Sequence, residues 1–136
     1  MSDSDAILAA NAAFYDAFSA GDLGAMARLW ADGDDISCIH PGWPAIVGRM
    51  AVLGSWRDIF RSGGRPDIVC REPHPLVAGD EGRVLCIELL DSSSALAASN
   101  HFRRVDRAWR LVHHQASAIA RLPQTTGTRP PSSRMH

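Results

Sequence analysis

Apolar residues recur at three- and four-residue steps through the first sixty positions, and at every second position after that. Ile7, Ala10, Phe14 and Phe18 form one helical stripe, which predicts a helix over 5–20 capped by Ser4 or Asp5 and stopped by Gly21. Asp22 then caps a second helix over 22–31, whose apolar face carries Leu23, Met26, Ala27 and Trp30. Asp32-Gly33-Asp34 turns the chain into a strand with Ile36, Cys38 and His40 on one side and Ser37 and Ile39 on the other. Pro41-Gly42-Trp43-Pro44 breaks that strand, because proline cannot continue a ladder. Beyond Gly48, Val52, Leu53, Trp56, Ile59 and Phe60 make the stripe of a third helix over 49–62, which ends at Gly63-Gly64.

From Asp67 the period is two. A strand over 67–78 is interrupted by Pro73 and Pro75, which predicts an edge or bulged position. Gly79-Asp80-Glu81-Gly82 reads as a hairpin turn. The next strand, 83–90, sets Leu85, Ile87 and Leu89 against Val84, Cys86 and Glu88. After the turn Asp91-Ser92-Ser93-Ser94, a strand over 95–105 sets Leu96, Ala98, Asn100 and Phe102 against Ala97, Ser99, His101 and Arg103. Asp106-Arg107 turns into a last strand over 109–119. Three helices followed by such a sheet predict one α+β domain over 1–121, with the sheet, mostly antiparallel, curved around the helices into a cone. The segment 122–136 has little to bury and reads as a flexible tail.

Composition narrows the function classes. With 46% apolar residues and a formal charge of −1, the chain is neither disordered nor a basic nucleic-acid binder. No run is long and apolar enough for a membrane span, and no secretory leader is legible, so a cytoplasmic protein is expected. All fourteen basic residues are arginine, a usage expected of a GC-rich bacterial genome. Without lysine there is no Schiff-base chemistry. Cys38, Cys70 and Cys86 are far apart and show no CxxC, so neither a disulfide framework nor a zinc site is expected; no metal and no cofactor is called for.

Candidate chemistry collects around one cavity. His40 ends a half-buried strand beside Trp43 and faces Trp56 from the third helix. It is either a general base near neutral pH or a residue that holds the Pro-Gly-Trp-Pro loop. Cys38 shares its face. Trp43 reads as a pocket lip, and Trp56 as either pocket wall or core. Asn100 faces inward and must be hydrogen-bonded, either to a substrate oxygen or to a neighbour. Glu88 interrupts an apolar strand and needs a partner such as Arg103 or Arg71, unless it is catalytic. Asp35 is either a turn residue or a partner for His40. His113 and His114 point to opposite faces and cannot chelate one metal together.

Gly21-Asp22, Trp30-Ala31-Asp32, His40-Pro41, Gly48-Arg49 and Trp109-Arg110-Leu111-Val112-His113-His114 occur in an order that resembles the nuclear-transport-factor-2-like superfamily, in its SnoaL-like and ketosteroid-isomerase-like branch. The C-terminal half also resembles the association domain of calcium/calmodulin-dependent kinase, which is not an enzyme. The resemblance implies a cone-shaped barrel, dimeric through its sheet, with His114 facing a pocket and His113 facing out. It places His40 at the proton-shuttling aspartate of ketosteroid isomerases, Phe14 at their oxyanion-hole tyrosine and Ala98 at their oxyanion-hole acid. With both donors replaced, steroid isomerisation is not expected. The expected partner is a small hydrophobic, cyclic ligand. The protein is then either a cofactor-independent isomerase, cyclase, dehydratase or hydrolase using His40 and His114, or a non-catalytic ligand-binding or dimerisation module.

Overall fold

The computed structural model describes residues 2–63, 67–90 and 94–120. Three helices, α1 (Asp3–Ala20), α2 (Leu23–Leu29) and α3 (Arg49–Arg61), pack on a six-stranded sheet. The strands are β1 (Ser37–Ile39), β2 (Ile46–Val47), β3 (Val69–Ala78), β4 (Glu81–Leu89), β5 (Ala95–Val105) and β6 (Ala108–Ala118). Their spatial order is β2-β1-β6-β5-β4-β3, and every pairing is antiparallel except β1 with β6. This is the α+β cone that the periodicity predicts. Gly64, the turn residues 91–93 and the tail 122–136 lie outside the described residues.

Ser2 caps α1, not Ser4 or Asp5. Its hydroxyl accepts from the Asp5 amide, and two further polar residues simply continue the first turn. Gly21 ends the helix in the left-handed region at φ 64°, where its amide meets the carbonyls of Ala17 and Phe18. α2 is shorter than its apolar stripe. Trp30 is already extended and bridges to Leu111, while the Arg49 guanidinium takes the carbonyls of Ala27, Trp30 and Ala31 at 2.9–3.0 Å. A cation from α3 thus satisfies the carbonyls that a further helical turn would have used. β2 gave no sequence signal, since two residues cannot show a period.

β3 is both an edge strand and bulged. Its register shifts between Arg71 and His74, with Glu72 at φ 52° before Pro73. β4 buries Val84, Cys86 and Glu88 and turns Leu85 outward, as the alternation predicts. Gly82 lets α1 approach β4 closely: a Cβ there would stand 2.7 Å from Ile7 Cδ1. The core lies between the inner face of β4–β6 and the helices, around Ile7, Phe14, Met26, Trp56, Phe102 and Leu111. Among the described residues no helix is long and apolar enough to cross a membrane.

Candidate active site

β1 and β6 run side by side, and their parallel register sets Cys38 beside His114. His40 follows one residue after β1 ends. The Trp43 amide folds back onto its carbonyl at 2.9 Å, so the loop closes over the ring. His40 is 3% exposed, with Trp43 edge-on at 4.9 Å, Trp56 at 4.8 Å and His114 at 6.3 Å between ring centroids. Its Nε2 lies 2.9 Å from Ser55 Oγ, and that hydroxyl donates onward to the Val52 carbonyl at 2.6 Å. Because the Ser55 proton is engaged there, His40 Nε2–H is the donor and Nδ1 is the proton-free nitrogen. Burial lowers the His40 pKa to about 4. Asp35 does not partner His40; its carboxylate binds Arg103 at 2.9 Å on the surface.

His114 is held by a chain of amides. Asn100, opposite it on β5, donates through Nδ2 to Asn11 Oδ1 at 2.8 Å and to Tyr15 Oη at 3.0 Å. Asn100 Oδ1 therefore faces His114 Nδ1, 2.6 Å away, as the acceptor. The His114 proton sits on Nδ1, and the bare Nε2 lies 3.9 Å from Glu88 Oε2. Burial, reinforced by the nearby His40 and His113, lowers the His114 pKa to about 3. Asn100 thus holds its neighbours; all of its bonds are made within the protein.

Glu88 is 1% exposed and pairs with no arginine among the described residues. Its partner is Tyr15, whose hydroxyl donates to Oε2 at 2.7 Å and also meets Cys86 Sγ at 3.3 Å. Arg103 is on the outer side with Asp35, so the expected pairing is corrected: a neutral donor from α1 satisfies the carboxyl. Burial pushes the Glu88 pKa up to about 7 against the Tyr15 bond, which lowers it. Burial and the adjacent carboxylate push the Tyr15 phenol well up. Cys38, buried behind His40 with Sγ 3.6 Å from Nε2, is pushed up to about 12 by the same loss of solvent and is an inert thiol at neutral pH.

Rings fill the space between these groups. Phe14 packs against Trp56 at 5.6 Å and His114 at 5.0 Å, and Phe18 stands edge-on to Trp56 at 4.8 Å. Trp56 is fully buried, and its Nε1–H has no acceptor among the described residues. Trp43 is 44% exposed, with its ring against that of His40. His113 turns outward, with Nδ1 at 2.7 Å from Ser37 Oγ. Among the described residues no cluster of three or more His, Cys, Asp or Glu side chains is arranged to hold a metal ion.

The structure brings His40, Cys38, Trp56, Phe14, Asn100 and His114 near one another, and adds Tyr15, Asn11 and Ser55, which the sequence reading passes over. A signal for the first two exists: Asn11 and Tyr15 fall four and eight residues after Ile7, on the same helical stripe. An apolar-only count passes over them. Ser55 precedes Trp56 on α3 and carries no pattern of its own.

The chain and its fold are similar to known proteins. A family described as SnoaL-like domain matches residues 7–121. Among solved structures, a candidate dehydratase of the NTF2-like family from Streptomyces avermitilis superposes with a TM-score of 0.80 at 32% identity, covering 88% of this chain and 97% of that one. A candidate calcium/calmodulin-dependent protein kinase type II association domain from Thiobacillus denitrificans gives 0.76 at 36% identity, covering 82% and 93%. A ketosteroid isomerase-like protein from Erwinia carotovora atroseptica, at 21% identity and 0.69 over 87% and 97%, shares the fold. The F-box protein SKIP8 of Arabidopsis thaliana is 27% identical over 115 residues, 84% of this chain, which spans about half the length of that curated relative.

Proposed function

The chain belongs to the SnoaL-like domain family, and from that premise we propose that it takes a small hydrophobic, cyclic molecule into its cone and moves a proton on it without a cofactor. One observation carries this reading: His40, His114 and Glu88 are buried together beside the rings of the core, where burial lowers the pKa of both histidines and raises that of the carboxyl to about 7. Packing alone does not call for three such groups, because each costs free energy to desolvate, and perturbed titratable residues concentrate at functional sites. His40 Nδ1 is the general base and His114 Nε2 the second acceptor. Glu88 is the proton donor, oriented by Tyr15. The orphan Trp56 Nε1–H supplies a hydrogen bond to a ligand oxygen. Isomerisation and dehydration fit this set best, since both proceed by proton transfer and need no nucleophile.

Titration with 2-naphthol, followed by fluorescence, tests the reading. Saturable binding with a rise in naphtholate emission, lost in His40→Ala, supports it. No saturable uptake favours a second reading, the non-catalytic module. The fully buried rings of Phe14 and Trp56 inside the cone, and the 36% identity to an association domain, speak for that alternative.

A second copy of the chain is the partner we assign to the outer sheet face. Leu85, Ala97, Ser99, Gln115 and Ser117 of β4–β6 line an uncharged hollow of about 390 Å³ there, and Leu85 is exposed. Depletion of charge marks the centre of an interface. Light scattering at micromolar concentration is expected to give a dimer, and a monomer contradicts the assignment.

A further inference from the structure

A second concavity lies outside the cone, between the end of α2 and the β5–β6 hairpin. It encloses about 420 Å³, and its walls carry Arg28, Arg49, Arg103 and Arg110 with Asp32 and Asp106. Four guanidinium groups meet in one cleft of a chain whose overall formal charge is −1.

The four are not equivalent. Arg49 is committed to the carbonyls of Ala27, Trp30 and Ala31, with Asp32 3.9 Å away. It closes the floor and covers the carbonyl end of α2, so an anion in the cleft does not face bare oxygens. Arg110 gives Nη1 to the Arg28 carbonyl. Arg103 gives Nη2 to Asp35, an exposed pair of the kind worth little in water. The Arg28 guanidinium has no hydrogen bond or ion pair among the described residues. Arg28, Arg103 and Arg110 therefore keep open donors, from α2, β5 and β6 respectively.

We propose that this cleft is a binding site for a phosphomonoester, whose dianionic group accepts hydrogen bonds from Arg28, Arg103 and Arg110 at once. A carboxylate is satisfied by a single bidentate guanidinium, whereas a phosphate presents three equivalent oxygens to donors arriving from three directions. The site is separate from the proton-transfer groups: no residue of the cleft belongs to the His40, His114 and Glu88 set.

Inorganic phosphate is the probe. Titrated into the full chain at constant ionic strength and followed by amide chemical shifts, it is expected to give a saturable response centred on Arg28, Val105 and Asp106. Arg28→Gln and Arg103→Gln should each weaken it ten-fold or more while leaving 2-naphthol binding unchanged, which separates failure here from failure of the proton-transfer reading. A response that chloride reproduces at equal ionic strength overturns the proposal, and so does phosphate binding that survives both substitutions in folded protein.

Discussion

Tyr15 on α1 donates its hydroxyl to Glu88 Oε2 on β4 at 2.7 Å, where neither residue is more than 5% exposed. This bond lets a carboxyl remain in the core without a cation. With a folded pKa of about 7 against an ordinary 4.5, the folded state binds more protons than the unfolded between those values. The contribution of Glu88 to stability is therefore greatest below pH 4.5 and is lost as pH rises through 7. Glu88→Gln keeps an acceptor for Tyr15 but not the buried charge. Chemical denaturation should show it more stable than wild type by about 3 kcal/mol at pH 8 and equal at pH 4. The same difference at both pH values contradicts the assignment.

The histidines carry the opposite sign. Their folded pKa values, about 4 for His40 and about 3 for His114, lie below the ordinary 6.5, so the unfolded chain binds the extra protons. Stability should fall as pH drops below 6.5. In an NMR titration both rings should remain neutral at pH 5.5, with His114 as the Nδ1–H tautomer. Protonation of either ring above pH 6 in folded protein is the contrary result.

Asn100 is predicted to matter for position. Asn100→Leu removes the acceptor of His114 Nδ1–H and the donor to Asn11 Oδ1, leaving both unpaired in the core. The expected loss is about 2 to 4 kcal/mol in urea unfolding. The His114 tautomer should also become mixed in the NMR spectrum, a change that simple loss of packing does not produce.

Much of this architecture is legible in the residues. The change of period after Gly64 separates helices from sheet, and the alternation in β4 and β5 assigns Val84, Cys86, Glu88, Ala98 and Asn100 to the interior. What stayed hidden are pairings between elements. Sequence places Glu88 inside but does not say that its partner comes from α1, because Tyr15 and Glu88 stand 73 residues apart. An arginine was the expected partner because a buried carboxylate usually needs a cation. Here Tyr15 supplies a neutral donor instead, and burial raises the pKa of the carboxyl. The shortened α2 likewise depends on Arg49, 18 to 22 residues away from the carbonyls it takes.

That guanidinium yields a further prediction. Arg49→Lys preserves the charge but cannot reach three carbonyls in one plane. Thermal denaturation should show Lys and Met at this position to be similarly destabilising, by about 2 to 4 kcal/mol. Full rescue by lysine contradicts the capping role.

Proton transfer within the cone is the central claim, and exchange of the α-protons of 2-indanone with D2O, followed by NMR, tests it most directly. In the proposed mode of action this cyclic ketone would present an acidic C–H to His40 and an oxygen to Glu88. The protein should accelerate the exchange over buffer, and His40→Ala should lower the rate by on the order of 10² to 10⁴ in protein that circular dichroism shows to be folded. Exchange no faster than in buffer, or equally fast with His40→Ala, contradicts the account.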